Sequence, residues 1–172
     1  MMAIKTVVKM GNKQLATPSL PVQTILDESI KTIVQDMYDT MIEEGGVGIA
    51  APQIGCNLRI IMFGFAESLR YPDEDSIPYT VLINPVIEVL SDEQTYGWEG
   101  CLSVPGLRGL VPRFEKIKYA GYGVDGQLIT RVAEGFHARV VQHEYDHLDG
   151  ILYPQRIEDL KYFGFEDALN LD

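Results

Sequence analysis

A chain of 172 residues with 46% hydrophobic content can bury a sizeable core in one domain, 1–172, without disulfide support, and its two cysteines make no disulfide framework. Its 25 acidic residues against 14 basic ones, a net charge of −11, argue against nucleic acid as a main partner. No apolar run reaches the ~20 residues of a membrane span, and Met1-Met2-Ala3-Ile4-Lys5 lacks the apolar core of a signal peptide, so a cytoplasmic protein without a membrane partner is expected.

A first helix is expected from about Asp27 to Glu44, with Ile30, Ile33, Val34, Met37 and Met41 on one core-facing stripe and Gly45 as the stop. Glycines at 45, 46 and 48, followed by Ile49-Ala50-Ala51-Pro52-Gln53, mean that something approaches the backbone closely here. Gly46-Val47-Gly48 invites a phosphate-loop reading, but the dinucleotide fingerprint is absent and Pro52 and Gly55 prevent a following helix. A helix C-cap would explain Gly45 alone. Gln53 carries an amide able to donate to a developing oxyanion. Cys56 precedes an apolar strand, Arg59–Phe65, where a buried thiol acting as a small hydrophobe is expected.

The polar stretch Ala66–Pro78 reads as an exposed loop, and Val81–Leu90 as a strand. Cys101, in Trp98-Glu99-Gly100-Cys101-Leu102-Ser103, is expected on a loop before a Pro105-Gly106 turn, where a thiolate makes a good soft metal ligand. Strands Ile117–Val124 and Leu128–Val132 are joined by a turn at Asp125-Gly126. A last helix runs from about Gly135 to Leu148 and ends at Gly150. The pattern is α+β: antiparallel strands packed around a central metal-binding helix.

That last helix carries His143-Glu144-Tyr145-Asp146-His147. Residues four apart stack along a helix, so His143 and His147 offer two imidazoles to one ion. Glu144 projects about 100° round from His143, where it serves a water rather than the metal. Such a set performs hydrolysis: the metal acidifies the water and the carboxylate takes its proton. A third ligand is needed. His137 lies on another side of the helix and reads as a solvated or core-edge residue. The acids downstream, Asp149 and Glu158 onward, form a short tail with no second metal motif. Cys101 is the better choice.

Three boxes therefore stand in order: Gly46-Val47-Gly48-Ile49-Ala50-Ala51-Pro52-Gln53, Glu99-Gly100-Cys101-Leu102-Ser103 and Gln142-His143-Glu144-Tyr145-Asp146-His147-Leu148. Together with Leu82-Ile83-Asn84-Pro85 and Val111-Pro112-Arg113, they resemble the peptide deformylases, metallo-amidases that remove the formyl group from N-formylmethionyl nascent peptides. The resemblance covers nearly the whole chain. It implies that Cys101, His143 and His147 hold the metal, that Glu144 is the general acid and base, and that Gln53 and the Leu102 N–H stabilise the oxyanion. It also implies that Val47, Gly48 and Gly100 offer backbone groups to an extended substrate. Glu99 is expected to pair with Arg113 to hold the cysteine segment, and Asp146 to orient a ligating imidazole.

The donor set by itself suggests zinc. The resemblance implies instead one Fe(II) per chain in the cell, with nickel or cobalt as active substitutes, zinc usually poor, and zinc or nickel possible in purified protein. Arg139 departs from many bacterial members, which have an apolar residue lining the methionine pocket there; mitochondrial-type members look like this chain. Its alkyl stem is expected along the pocket with the charge at the mouth, favouring acidic residues further along the peptide. Some bacterial deformylases dock on the ribosome through a long basic C-terminal helix. The tail here, Phe163 to Asp172, is short and acidic, so any ribosome association is expected to be transient and not tail-driven. An H-E-x-x-H endopeptidase and a catalytically silent binding module stand as the alternatives.

Overall fold

The first helix, α1 (Glu28–Glu43), starts where the Asp27 carboxylate accepts the Ser29 N–H at 2.8 Å, and gives way to Gly45 at φ +65°. The computed structural model describes residues 3–170. Ile30, Met37 and Met41 are buried and pack on Ile49, Ile60 and Met62. Each such side chain contributes roughly 1.5–3 kcal/mol of burial.

Those partners belong to a five-stranded antiparallel sheet in the order β1-β2-β3-β6-β7, formed by Gly48–Ala50, Ile60–Phe65, Ile77–Val89, Lys116–Tyr122 and Leu128–Glu134. Every residue of β2 is buried, because helices or strands cover both of its faces. A second antiparallel sheet, order β4-β5-β8, comprises Gln94–Cys101, Val104–Phe114 and Phe163–Phe165. Between the sheets runs α2 (Gly135–Leu148). Its Ala138, Val141 and Leu148 enter the core with Ile61, Phe63 and Leu82, while Arg139 and Gln142 hydrogen-bond toward β4 and β5. The expected α+β arrangement around a central helix is the one observed. No described helix is long and apolar enough to cross a membrane.

The second sheet has no counterpart among the expected strands, and three further details differ. β3 begins at Ile77, inside the expected loop, because buried Ile77 pairs with Phe65. Pro105 and Gly106 lie in β5 rather than in a turn. β8 covers only Leu107, Arg108 and Gly109, so both prolines of β5 keep one unpaired side, where a missing N–H costs nothing. Cys101 is the last residue of β4, not a loop residue, and Leu102-Ser103 turn the chain into β5. Pairing slips between Glu99 and Cys101, a bulge that re-aims the end of the strand.

Candidate active site

Two side chains on successive turns of α2, His143 and His147, stand with ring centroids 5.2 Å apart. The end of β4 brings Cys101 beside them, its Sγ 3.5 Å from His147 Nε2. The three ligating atoms all lie within 4.8 Å of one another, and all three residues are at least nine-tenths buried. A thiolate and two imidazoles suit a borderline-soft divalent ion. Glu144 Oε2 and His147 Nδ1 are buried without hydrogen-bond partners among the described residues, so the pocket holds more polar capacity than the protein itself satisfies. These residues fit a divalent metal.

Glu99 organises the group from behind. Its Oε1 accepts from His143 Nδ1 at 2.7 Å and from Arg113 Nη2 at 2.9 Å; its Oε2 accepts from Arg113 Nε and Arg139 Nη1, each at 2.9 Å. With Nδ1–H committed to the carboxylate, His143 presents Nε2 to the metal position. Burial by itself would raise the Glu99 pKa, but Arg113 and the hydrogen bonds from His143 and Arg113 hold the carboxyl well below the usual range. Burial acts unopposed by comparable partners at Glu144 and pushes its carboxyl up to about 7. A carboxyl poised there can both take and return a proton near neutrality.

A cleft opens in front of the group, lined by backbone and apolar groups with Gln53, Glu99 and Glu144 among them. Gly46, Val47 and Gly48 form one wall, Gly100, Cys101 and Leu102 another. β1 is the edge of its sheet, so one side of this segment is free of strand partners. The Val47 carbonyl is not on that free side; it accepts the Gly64 N–H at 2.9 Å. Gln53 is locked: Oε1 accepts the Ala50 N–H at 2.8 Å, and Nε2 donates to Ser103 Oγ at 3.1 Å while facing Cys101 Sγ at 3.5 Å.

Two expected contacts are corrected. Asp146 touches neither imidazole; Arg113 Nη1 at 2.6 Å and Arg156 at 2.8 Å occupy its carboxylate. One position before His147, it is turned about 100° away, toward those arginines. Arg139 does not hold its charge at the mouth. Its guanidinium is buried against β4 and β5, donating to the carbonyls of Thr95 (2.7 Å) and Val111 (2.8 Å) as well as to Glu99. Gly97 makes the space, since a Cβ there would stand 2.7 Å from Arg139 Cζ. Arg139 nonetheless remains one of the residues lining the cleft.

His137 sits half-buried at the core edge, its Nε2 3.1 Å from the Tyr119 hydroxyl, and Cys56 packs half-buried beside the α1 core. Several residues around the site have no motif to mark them. Tyr153, from a short 3₁₀ turn, stacks on the His143 ring at 6.0 Å. Tyr71 and Phe136 form an aromatic wall with centroids 4.8 Å apart, and Arg70 lies beside them. Arg70 and Tyr71 lie in a stretch that reads only as polar loop.

The polypeptide deformylase family model matches residues 4–162. Peptide deformylase 2 of Ralstonia nicotianae is 54% identical over 166 residues, 96% of this chain and 94% of that protein. Peptide deformylase 1 of Bordetella pertussis is 55% identical over the same length and the same shares. Among solved structures, the Met-Ala-Ser-bound class I type b peptide deformylase from Acinetobacter baumannii superposes with a TM-score of 0.87 at 40% identity, covering 91% of this chain and all of that one. The peptide deformylase from Thermotoga maritima gives 0.81 at 32% identity, covering 91% of this chain and 99% of its own. Agreement of this extent, in sequence and backbone alike, shows that the chain belongs to the polypeptide deformylase family.

Proposed function

We propose that the chain hydrolyses the N-terminal formamide of N-formylmethionyl nascent peptides in the cytoplasm, releasing formate and a free amine. The observation that carries this reading is the meeting of Cys101, His143 and His147 with the Glu144 carboxylate at the foot of a cleft edged by β1. One divalent ion per chain, Fe(II) in the cell, would be held by those three residues and would supply Lewis acidity toward water and the formyl carbonyl.

The chain's own groups do the rest. Glu144 takes a proton from water as its oxygen adds to the formyl carbon, then delivers a proton to the amine nitrogen as the C–N bond breaks. Gln53 Nε2 and the Leu102 N–H donate to the oxyanion that forms between these events. Glu99 fixes His143 and, with Arg113, the cysteine segment. The free edge at Gly48 and the Gly100 backbone hold the peptide extended, and Phe136, Tyr71 and Val140 border the space for the methionine side chain. Any ribosome association would be transient and would leave the β5-facing backbone of Phe163–Phe165 engaged in its sheet.

Formate release from formyl-Met-Ala-Ser by anaerobically purified, iron-loaded protein tests the proposal beside Glu144→Ala. Formate from the parent alone is expected. Its absence from a protein shown to hold one metal per chain sinks the reading.

A further inference from the structure

Arg70 is the one arginine whose guanidinium has no hydrogen-bond or ion-pair partner among the described residues. Arg59 is held by Asp149, Arg108 by Glu166, Arg113 and Arg139 by Glu99, Arg156 by Asp146, and Arg131 by the Thr80 hydroxyl. Only the Arg70 backbone N–H is engaged, with Ser68 Oγ at 3.2 Å. Its side chain is half-buried in the cleft wall, and its Nη2 would lie 3.0 Å from a Cβ built on Gly100, the residue before the ligand Cys101. A half-buried cation with unfilled donors, next to backbone that a substrate passes, lacks an anion.

We infer that Arg70 is a specificity-determining residue that binds an acidic side chain one or two residues beyond the N-terminal methionine. The inference rests on the deformylase reading. The first side chain meets the apolar wall of Tyr71 and Phe136, where a carboxylate would lose its water without gaining a partner. The peptide then advances about 3.3 Å per residue along the free edge of β1, so the next one or two side chains pass within the reach of Arg70. The expected charge at the mouth thus comes from Arg70, since the Arg139 guanidinium is buried and held by Glu99, Val111 and Thr95. Glu67, Asp73, Glu74 and Asp75 share the Arg70 segment, and none forms an ion pair with it among the described residues. Their repulsion of an incoming carboxylate acts through solvent and is screened over about 8 Å at physiological salt. A direct guanidinium–carboxylate contact outweighs it.

The test uses C-terminally amidated formyl-Met tetrapeptides with Glu, Gln or Lys at the second or third position, so that no terminal carboxylate competes. The iron-loaded protein is expected to favour Glu over Gln by roughly tenfold in kcat/KM, the scale of one charge-assisted hydrogen bond, and to disfavour Lys. The Glu/Gln ratio within each variant is read, which removes changes in overall rate. It is expected near one in Arg70→Ala, partly kept in Arg70→Lys and inverted in Arg70→Glu. Equal rates for Glu and Gln in the parent, or an unchanged ratio in Arg70→Ala, overturn the inference while formate release still upholds the deformylase reading. No formate from any peptide overturns both.

Discussion

Gly48 stands directly against Glu144: a Cβ at Gly48 would lie 2.8 Å from the Glu144 carboxyl carbon and 2.9 Å from its Cγ. The glycine is in ordinary extended strand, so the constraint is space rather than backbone conformation. Gly48→Ala is expected to push the carboxylate off its position and lower kcat by about a hundredfold, the usual cost of a ~1 Å misplacement. Metal content should be unchanged, because the nearest neighbours of the new methyl are all atoms of Glu144 rather than of Cys101, His143 or His147. Full activity in Gly48→Ala would show that Glu144 has freedom the packing does not suggest.

Glu99→Gln keeps the shape of the side chain and removes its charge. Metal affinity is expected to fall about 10–100-fold as His143 loses its anchor. Folding stability should also drop by roughly 3–5 kcal/mol, because buried Arg113 and Arg139 lose their shared counter-charge. Competition with a chelating dye and urea unfolding read the two effects separately. An unaltered metal affinity would leave Glu99 a structural group only.

Arg139→Ala is expected to behave as a stability mutation, costing several kcal/mol and leaving the Glu/Gln substrate ratio as it was. Its guanidinium satisfies the Thr95 and Val111 carbonyls, and those would be stranded. Loss of the acidic preference in Arg139→Ala would restore the charge at the mouth to Arg139.

Chelation should lower the melting temperature of the parent and leave Cys101→Ser almost unmoved. A metal held at 100 times its Kd stabilises by about 2.7 kcal/mol, which is roughly 5–10 °C for a chain of this size. Equal shifts in both proteins would place the metal elsewhere.

His137 supplies a pH dependence away from the metal group. Burial, helped by the Arg131 cation, holds its pKa below the ordinary 6.5. The unfolded chain therefore binds the extra proton first. This contribution to stability is whole above about pH 6.5 and is lost as pH falls toward the folded value. His137→Gln should flatten that part of the stability profile, measured by urea unfolding between pH 7 and pH 5.

The stacking of His143 over His147, with Glu144 beside them, was legible in the chain because that geometry is local. The spacing of His143, Glu144 and His147 follows from 3.6 residues per turn, whatever the helix packs against. Glycines 46 and 48 announced a close approach, and the apolar stripe of α1 announced its buried face. The second sheet was hidden because Pro105-Gly106 reads as a turn, and only partial pairing with β8 makes a proline acceptable there in β5.

Tertiary structure alone decided where each long polar side chain spends its hydrogen bonds. Arg139, Arg113, Asp146 and Glu99 come from distant stretches, and burial forces each charge to take the nearest good partner. Asp146 and Arg139 were therefore drawn into that network instead of serving an imidazole or the cleft mouth, and Arg70 was left as the one arginine without a partner among the described residues. Periodicity fixes which residues share a helix face; only the packed fold fixes which charge meets which.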